Sequence, residues 1–140
     1  MSIHARICVA ALLFAHAAPA AAESEAVKAC LDLFSSSEQK QCAEALYRAA
    51  SVELDQALLR VIERVSQADR RAVDSNASDP ASWAAAVRKS QSSWQAYRDA
   101  ERWGVVGHGG GSGRMTWVWG CLAEKTLERA GELKTPFYQR

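Results

Sequence analysis

Residues 42–65 read CAEALYRAASVELDQALLRVIERV, and their spacing decides the fold class. Leu46, Ala50, Leu54, Leu58, Val61 and Val65 follow one another at steps of four or three, the period at which side chains return to one side of an α-helix. A strand would alternate at every second residue, and no stretch of the chain does so. On the other side Lys40 stands four residues before Glu44, and Glu44 four before Arg48, so unlike charges meet along a solvated face. Ser36 with Gln39 offers a weak capping box at the start, and the polar run 75–79 stops the helix soon after Ala72.

Further along, Asp79 can cap free backbone amides while Pro80 takes the first turn, where a missing N–H is harmless; a second long helix is expected from there to about Trp103. Its inward line reads Trp83, Val87, Ser90, Trp94 and Tyr97. A last helix is expected to begin between Ser112 and Arg114, to turn Met115, Val118, Leu122, Thr126, Ala130 and Leu133 inward, and to end at Lys134-Thr135-Pro136. Residues 25–34 make a short helix before the first long one. The expected fold is therefore all-α, a small antiparallel bundle of three long helices plus a short N-terminal helix, with a glycine-rich loop before the last.

The first 22 residues have the parts of a secretory signal. Arg6 is the positive group, 7–15 is an apolar run, and Pro19 precedes Ala20-Ala21-Ala22, a small-residue cleavage site. A membrane anchor needs roughly twenty uninterrupted apolar residues, and His16 and Pro19 interrupt this run too early. Cys8 stands at the beginning of the run, not after it, so a lipid anchor does not fit. Cleavage after Ala22 leaves residues 23–140 as one helical domain, periplasmic or secreted, with no stable membrane insertion.

The leader removes only Arg6 from the 17 Lys+Arg and nothing from the 16 Asp+Glu, so the mature chain is formally neutral. Its cations alternate with acids and form no basic stripe, which argues against nucleic acid. Of the cysteines Cys30, Cys42 and Cys121 remain, and of the histidines His108. No Cys-x-x-Cys spacing occurs, so the soft ligands of a zinc site do not cluster, and neither metal nor cofactor is expected.

Catalysis finds little support. His108-Gly109-Gly110-Gly111 looks like an esterase oxyanion motif, but that motif works beside a Gly-x-Ser-x-Gly elbow on a sheet. A phosphate-binding loop would need Lys-Ser or Lys-Thr after the glycines and a strand before them. Asp99 and Glu101 are ordinary in a charged helix. A non-enzyme is the expectation.

The most specific pattern is sparse. It runs Trp94-Gln-Ala-Tyr97-Arg98-Asp99, then Gly109-Gly110-Gly111-Ser112, then Cys121, Thr126, Arg129 and Leu133. This resembles the lysozyme inhibitor LprI-like family of small exported bacterial envelope proteins, whose pattern is Trp-x-x-aromatic-Arg-Asp, a Gly-Gly-Ser loop, and Cys with Thr-x-x-Arg-x-x-x-Leu on a closing helix. The resemblance implies a binding protein whose partner is a lysozyme or another peptidoglycan hydrolase. It also implies a disulfide between Cys30 and Cys42, which flank a serine-rich turn. Relatives commonly carry a further cysteine shortly after Arg-Asp, bonded to the one on the closing helix. Here Arg102 stands in that region, so Cys121 is left alone, as a buried small residue or an intermolecular bridge, and the loop is expected to be held more loosely.

Six of the 8 glycines fall between Gly104 and Gly113. One reading is a flexible connector. The other is a slim loop that enters a cleft and presents His108, Gly109, Gly110, Gly111, Ser112 and Arg114 to acidic groups, helped by the positive end of the last helix. Trp94, Tyr97, Arg98, Asp99, Cys121, Thr126, Arg129 and Leu133 read mainly as scaffold. A non-inhibitory envelope domain, or an immunity protein against a cell-wall-degrading toxin, remain the alternatives. Trp103, Trp117 and Trp119 either form a surface patch beside the loop or fill the helix interface.

Overall fold

The computed structural model describes residues 24–74, 82–104, 106–111 and 113–135. These form α1 (Glu25–Leu31), α2 (Ser36–Asp74), α3 (Trp83–Gly104) and α4 (Arg114–Leu133), with a single 3-10 turn, Val106–His108, ahead of α4. No strand occurs among the described residues. The expected leader 1–22, the caps Asp79 and Pro80, and Ser112 and Pro136 lie outside them.

Local hydrogen bonds explain where each helix starts. Ser24 caps α1, its Oγ accepting from the Val27 amide, while its own amide donates to Glu124 on α4 at 2.6 Å. At α2 the capping box lies one residue earlier than Ser36–Gln39. The Ser35 hydroxyl accepts from the Glu38 amide, and the Glu38 carboxylate accepts from the Ser35 amide at 3.1 Å and hydroxyl at 2.8 Å. A carboxylate is the stronger acceptor for that reciprocal pair. Gln39 instead donates to the carbonyls of Leu31 and Leu33 and ties down the turn. That turn is also clipped by a disulfide between Cys30 and Cys42, with Cα atoms 5.5 Å apart.

The start of α3 is capped from another helix. Asp69 of α2 accepts from the Trp83 amide at 2.9 Å, the Ala84 amide at 3.1 Å and the Ser82 hydroxyl at 2.8 Å. Those donors, the two amides first, hold its carboxyl below the ordinary range. The antiparallel return from α2 to α3 is thereby fixed by the α3 backbone itself.

At 39 residues α2 is about 58 Å long, and α4 packs along it. Leu54, Ala57 and Val61 meet Ala130 and Leu133, with Leu58, Val65, Val87 and Trp94 packed around them. The α4 stripe Val118, Leu122, Thr126, Ala130 and Leu133 is fully buried, as its spacing predicts, although Met115 is only half-buried and Thr116 is inside. Gly120 lets α1 approach α4, since a Cβ there would lie 3.0 Å from Val27.

One expectation about α3 is corrected. Trp83 and Tyr97 are 55% and 58% exposed, and Ser90 is exposed too; Ala84, Gln91 and Arg98 are buried instead. The inward line is Ala84, Val87, Gln91, Trp94 and Arg98. Polar Gln91 and Arg98 find partners on α4, so hydrogen bonding sets the helix rotation where the aromatic positions suggested another. Among the described residues no helix is long and apolar enough to cross a membrane.

Candidate functional site

Two arginines join α3 to α4 from inside. Arg98, 7% exposed, donates to Asp99 through Nε at 3.1 Å and Nη2 at 2.9 Å, and reaches Thr126 Oγ1 at 3.5 Å. Its guanidinium also lies 4.9 Å from the ring centre of Trp94 and 5.7 Å from that of Tyr47. Arg129, equally buried, donates to Gln91 at 3.3 Å, Ser90 at 3.2 Å and Glu132 at 2.6 Å. A buried charge is costly unless it is hydrogen-bonded, and both of these are. Leu133 completes this face in the apolar core.

The motif thus splits by position. Trp94, Arg98, Asp99 and Thr126 come together at the helix interface, and Arg129 lies along the same helix at Thr126+3. Tyr97 stays on the surface, with the Lys125 ammonium 5.4 Å from its ring centre. Lys125 in turn pairs with Glu101 at 2.8 Å. That bond lowers the Glu101 carboxyl and raises the Lys125 ammonium from their ordinary values. Cys121 is a half-buried free thiol, its pKa pushed up chiefly by burial, so it is a poor nucleophile at neutral pH.

From Arg98 a continuous stack of rings and cations leads to the surface. Arg98 touches Tyr47, whose ring centre is 5.4 Å from that of Trp119; Arg102 lies 4.6 Å from Trp119 and 4.1 Å from Trp103. The order Trp94–Arg98–Tyr47–Trp119–Arg102–Trp103 draws on three helices, and no single-helix periodicity reveals it. Arg102 therefore does not leave α3 and α4 untied. Its guanidinium lies against one indole from each helix.

Trp103 brings the stack to the glycine segment. The 3-10 turn Val106–His108 rests on both α3 and α4. Gly107 is packed so closely that a Cβ would lie 3.1 Å from the Arg102 carbonyl and 3.6 Å from Trp103. Gly111 has φ +102°, a backbone state that favours glycine. Its carbonyl accepts from the Arg114 amide at 3.3 Å, and the Gly113 carbonyl accepts from Thr116 at 3.0 Å. The segment is thus packed on the end of α3 at Gly107, while a Cβ at Gly110 or Gly111 would meet nothing within 4 Å.

His108, Gly109, Gly110, Gly111 and Arg114 are all exposed on this turn or at the first residue of α4. Trp103 and Trp117, 55% and 53% exposed, flank it, while Trp119 is half-buried in the stack. No Asp or Glu occurs between Glu101 and Glu124, whereas Arg102, His108 and Arg114 do. This end of the bundle therefore offers Arg114, exposed rings and bare backbone with no acid in its chain segment. Shallow, open hollows lie elsewhere, along α2 beside Arg60, Glu63, Arg64 and Gln67, and beside Gln41, Glu44, Ala45 and Arg48. Among the described residues no cluster of three His, Cys, Asp or Glu side chains could hold a metal.

The model of a family described as "Lysozyme inhibitor LprI" matches residues 20–133. A protein of Rhizobium meliloti (strain 1021), itself named only as uncharacterized, is 38% identical over 95 residues, covering 66% of this chain and 67% of its own. No solved structure matches the chain.

Proposed function

Since the chain belongs to the lysozyme inhibitor LprI family, we propose that it is a non-catalytic, exported protein that binds and blocks a lysozyme-like peptidoglycan hydrolase. Lysozymes work in a cleft between two carboxyl groups. An inhibitor of such an enzyme needs something slim enough to enter and cationic enough to meet the acids. The glycine turn has both properties. Gly109, Gly110 and Gly111 add no side-chain bulk, and Arg114 and His108 stand at its two sides.

The observation that carries this reading is the combination of exposure and backing at the turn. A freely moving loop would lose conformational entropy on entering a cleft, and that loss would weaken binding. The packing of Gly107 against Arg102 and Trp103 and the Gly111–Arg114 hydrogen bond support a turn whose base is held before any partner arrives. The amino-terminal end of α4 adds partial positive charge close to Arg114. Ser112 lies in the same segment and would supply a hydroxyl.

Export rests on the leader-like residues 1–22 and fits the Cys30–Cys42 disulfide, a bond typical of oxidising compartments. The neutral mature chain has no strong global field, so attraction to the acids is local to the turn. Arg114→Glu tests the turn directly in a peptidoglycan lysis assay with egg-white lysozyme. Charge reversal beside two carboxyls should raise the inhibition constant at least about tenfold. An unchanged constant would remove the turn from the inhibitory surface.

A further inference from the structure

The exposed tryptophans of this end are not explained by the bundle. Trp117 stands in the first turn of α4, three residues after Arg114, and leaves 53% of its surface to solvent. Trp103 ends α3 on the other side of the turn and is 55% exposed, although Arg102 is stacked upon it. Both belong to the acid-free segment between Glu101 and Glu124. Elsewhere charges of both signs alternate along the chain.

We infer that Trp103 and Trp117 are the affinity anchors of the surface whose centre is the glycine turn, and that their occupant is the acid-lined rim of a glycan-hydrolysing cleft on a protein partner. This rests on the inhibitory reading above and extends it from the turn to its collar. Tryptophan and arginine dominate the energetics of protein interfaces, because a large rigid ring buries much area at small entropic cost. Charge complementarity chooses the partner. A surface with exposed Arg114 and His108 and no carboxylate in the segment 102–123 suits acids, and would be wasted on a basic or purely apolar one. One of the two rings also comes mounted. Trp103 is the outer end of the stack reaching back to Trp94, so its ring is backed by Arg102.

Trp83 supplies an internal control. It is 55% exposed on the same helix, but it sits at the opposite end of α3, beside Asp69. The mature protein and its Trp117→Ser, Trp103→Ser and Trp83→Ser variants are to be titrated against egg-white lysozyme. Circular dichroism confirms folding, and direct binding is measured by calorimetry. The expected result is at least about tenfold weaker binding for Trp117→Ser and Trp103→Ser, with Trp83→Ser unchanged. Equal affinity of all four proteins would overturn the collar while leaving lysozyme inhibition standing. If the wild-type protein neither binds nor inhibits, the inhibitory reading itself falls and the collar with it. Sedimentation with insoluble peptidoglycan forms the last arm; co-sedimentation lost in Trp117→Ser would make the collar a glycan surface and overturn the protein partner.

Discussion

The guanidinium of Arg102 lies 4.6 Å from the ring centre of Trp119, so a residue at the end of α3 is joined to the second turn of α4 by stacking. It also lies 4.1 Å from the ring centre of Trp103. Planarity and weak hydration suit a guanidinium to this place, and an ammonium has neither.

Arg102→Ala should therefore destabilise the fold by about 1–2 kcal/mol, through lost cation–π contact and lost packing of the stem. Arg102→Lys should recover only part of it. The effect should concentrate at the turn, where amide exchange at 106–111 should quicken more than in the α2 core. Uniform quickening would mean that Arg102 supports the bundle and not the turn.

Asp69 makes a pH-dependent contribution whose sign follows from its hydrogen bonds. Its folded carboxyl is held low by the Ala84 and Trp83 amides, so its stabilisation is present above the unfolded value, about 4, and fades as pH falls through the lower folded one. Asp69→Asn should lower the melting temperature at pH 7, and the gap from wild type should narrow towards pH 3. A gap independent of pH would show that the charge on the carboxylate is irrelevant to the cap.

Reducing the Cys30–Cys42 disulfide should lower stability by about 2–4 kcal/mol in denaturant unfolding with and without a phosphine reductant. Cys121 should remain unreacted with iodoacetamide at neutral pH in the folded protein, since burial keeps its thiol protonated. Rapid labelling there would contradict the half-buried placement.

Arg129→Met removes the donor from buried Gln91 Oε1, and leaving that acceptor unsatisfied should cost about 2 kcal/mol by chemical denaturation. Asp99 differs, because its side chain is 51% exposed and it serves chiefly to neutralise Arg98. Asp99→Ala should lower the melting temperature yet leave lysozyme binding unchanged in a folded protein. Abolished binding in a protein that still folds would move Asp99 from the scaffold to the interface.

Much of the bundle was legible because apolar period and fold agree. The α2 stripe from Leu46 to Val65 and the α4 stripe from Val118 to Leu133 face the core as their spacing says. The reading failed where polar groups turn inward. Gln91 and Arg98 rotate α3 away from the line through Trp83 and Tyr97, because their partners Arg129 and Thr126 lie on another helix and cannot be seen locally. The α3 cap contributed by Asp69 is hidden for the same reason: donor and acceptor are more than ten residues apart. At the site the glycine density was plain in the sequence. Its backing was not, since the stack behind it assembles Tyr47, Trp119 and Arg102 from three helices.

The central claim is inhibition, and the clearing of a peptidoglycan suspension by egg-white lysozyme measures it most directly. Titrating in the purified mature protein should slow clearing in proportion to dose and reach near-complete suppression at excess inhibitor. A clearing rate unchanged at the highest concentration, with the disulfide intact and the protein folded, would contradict the account.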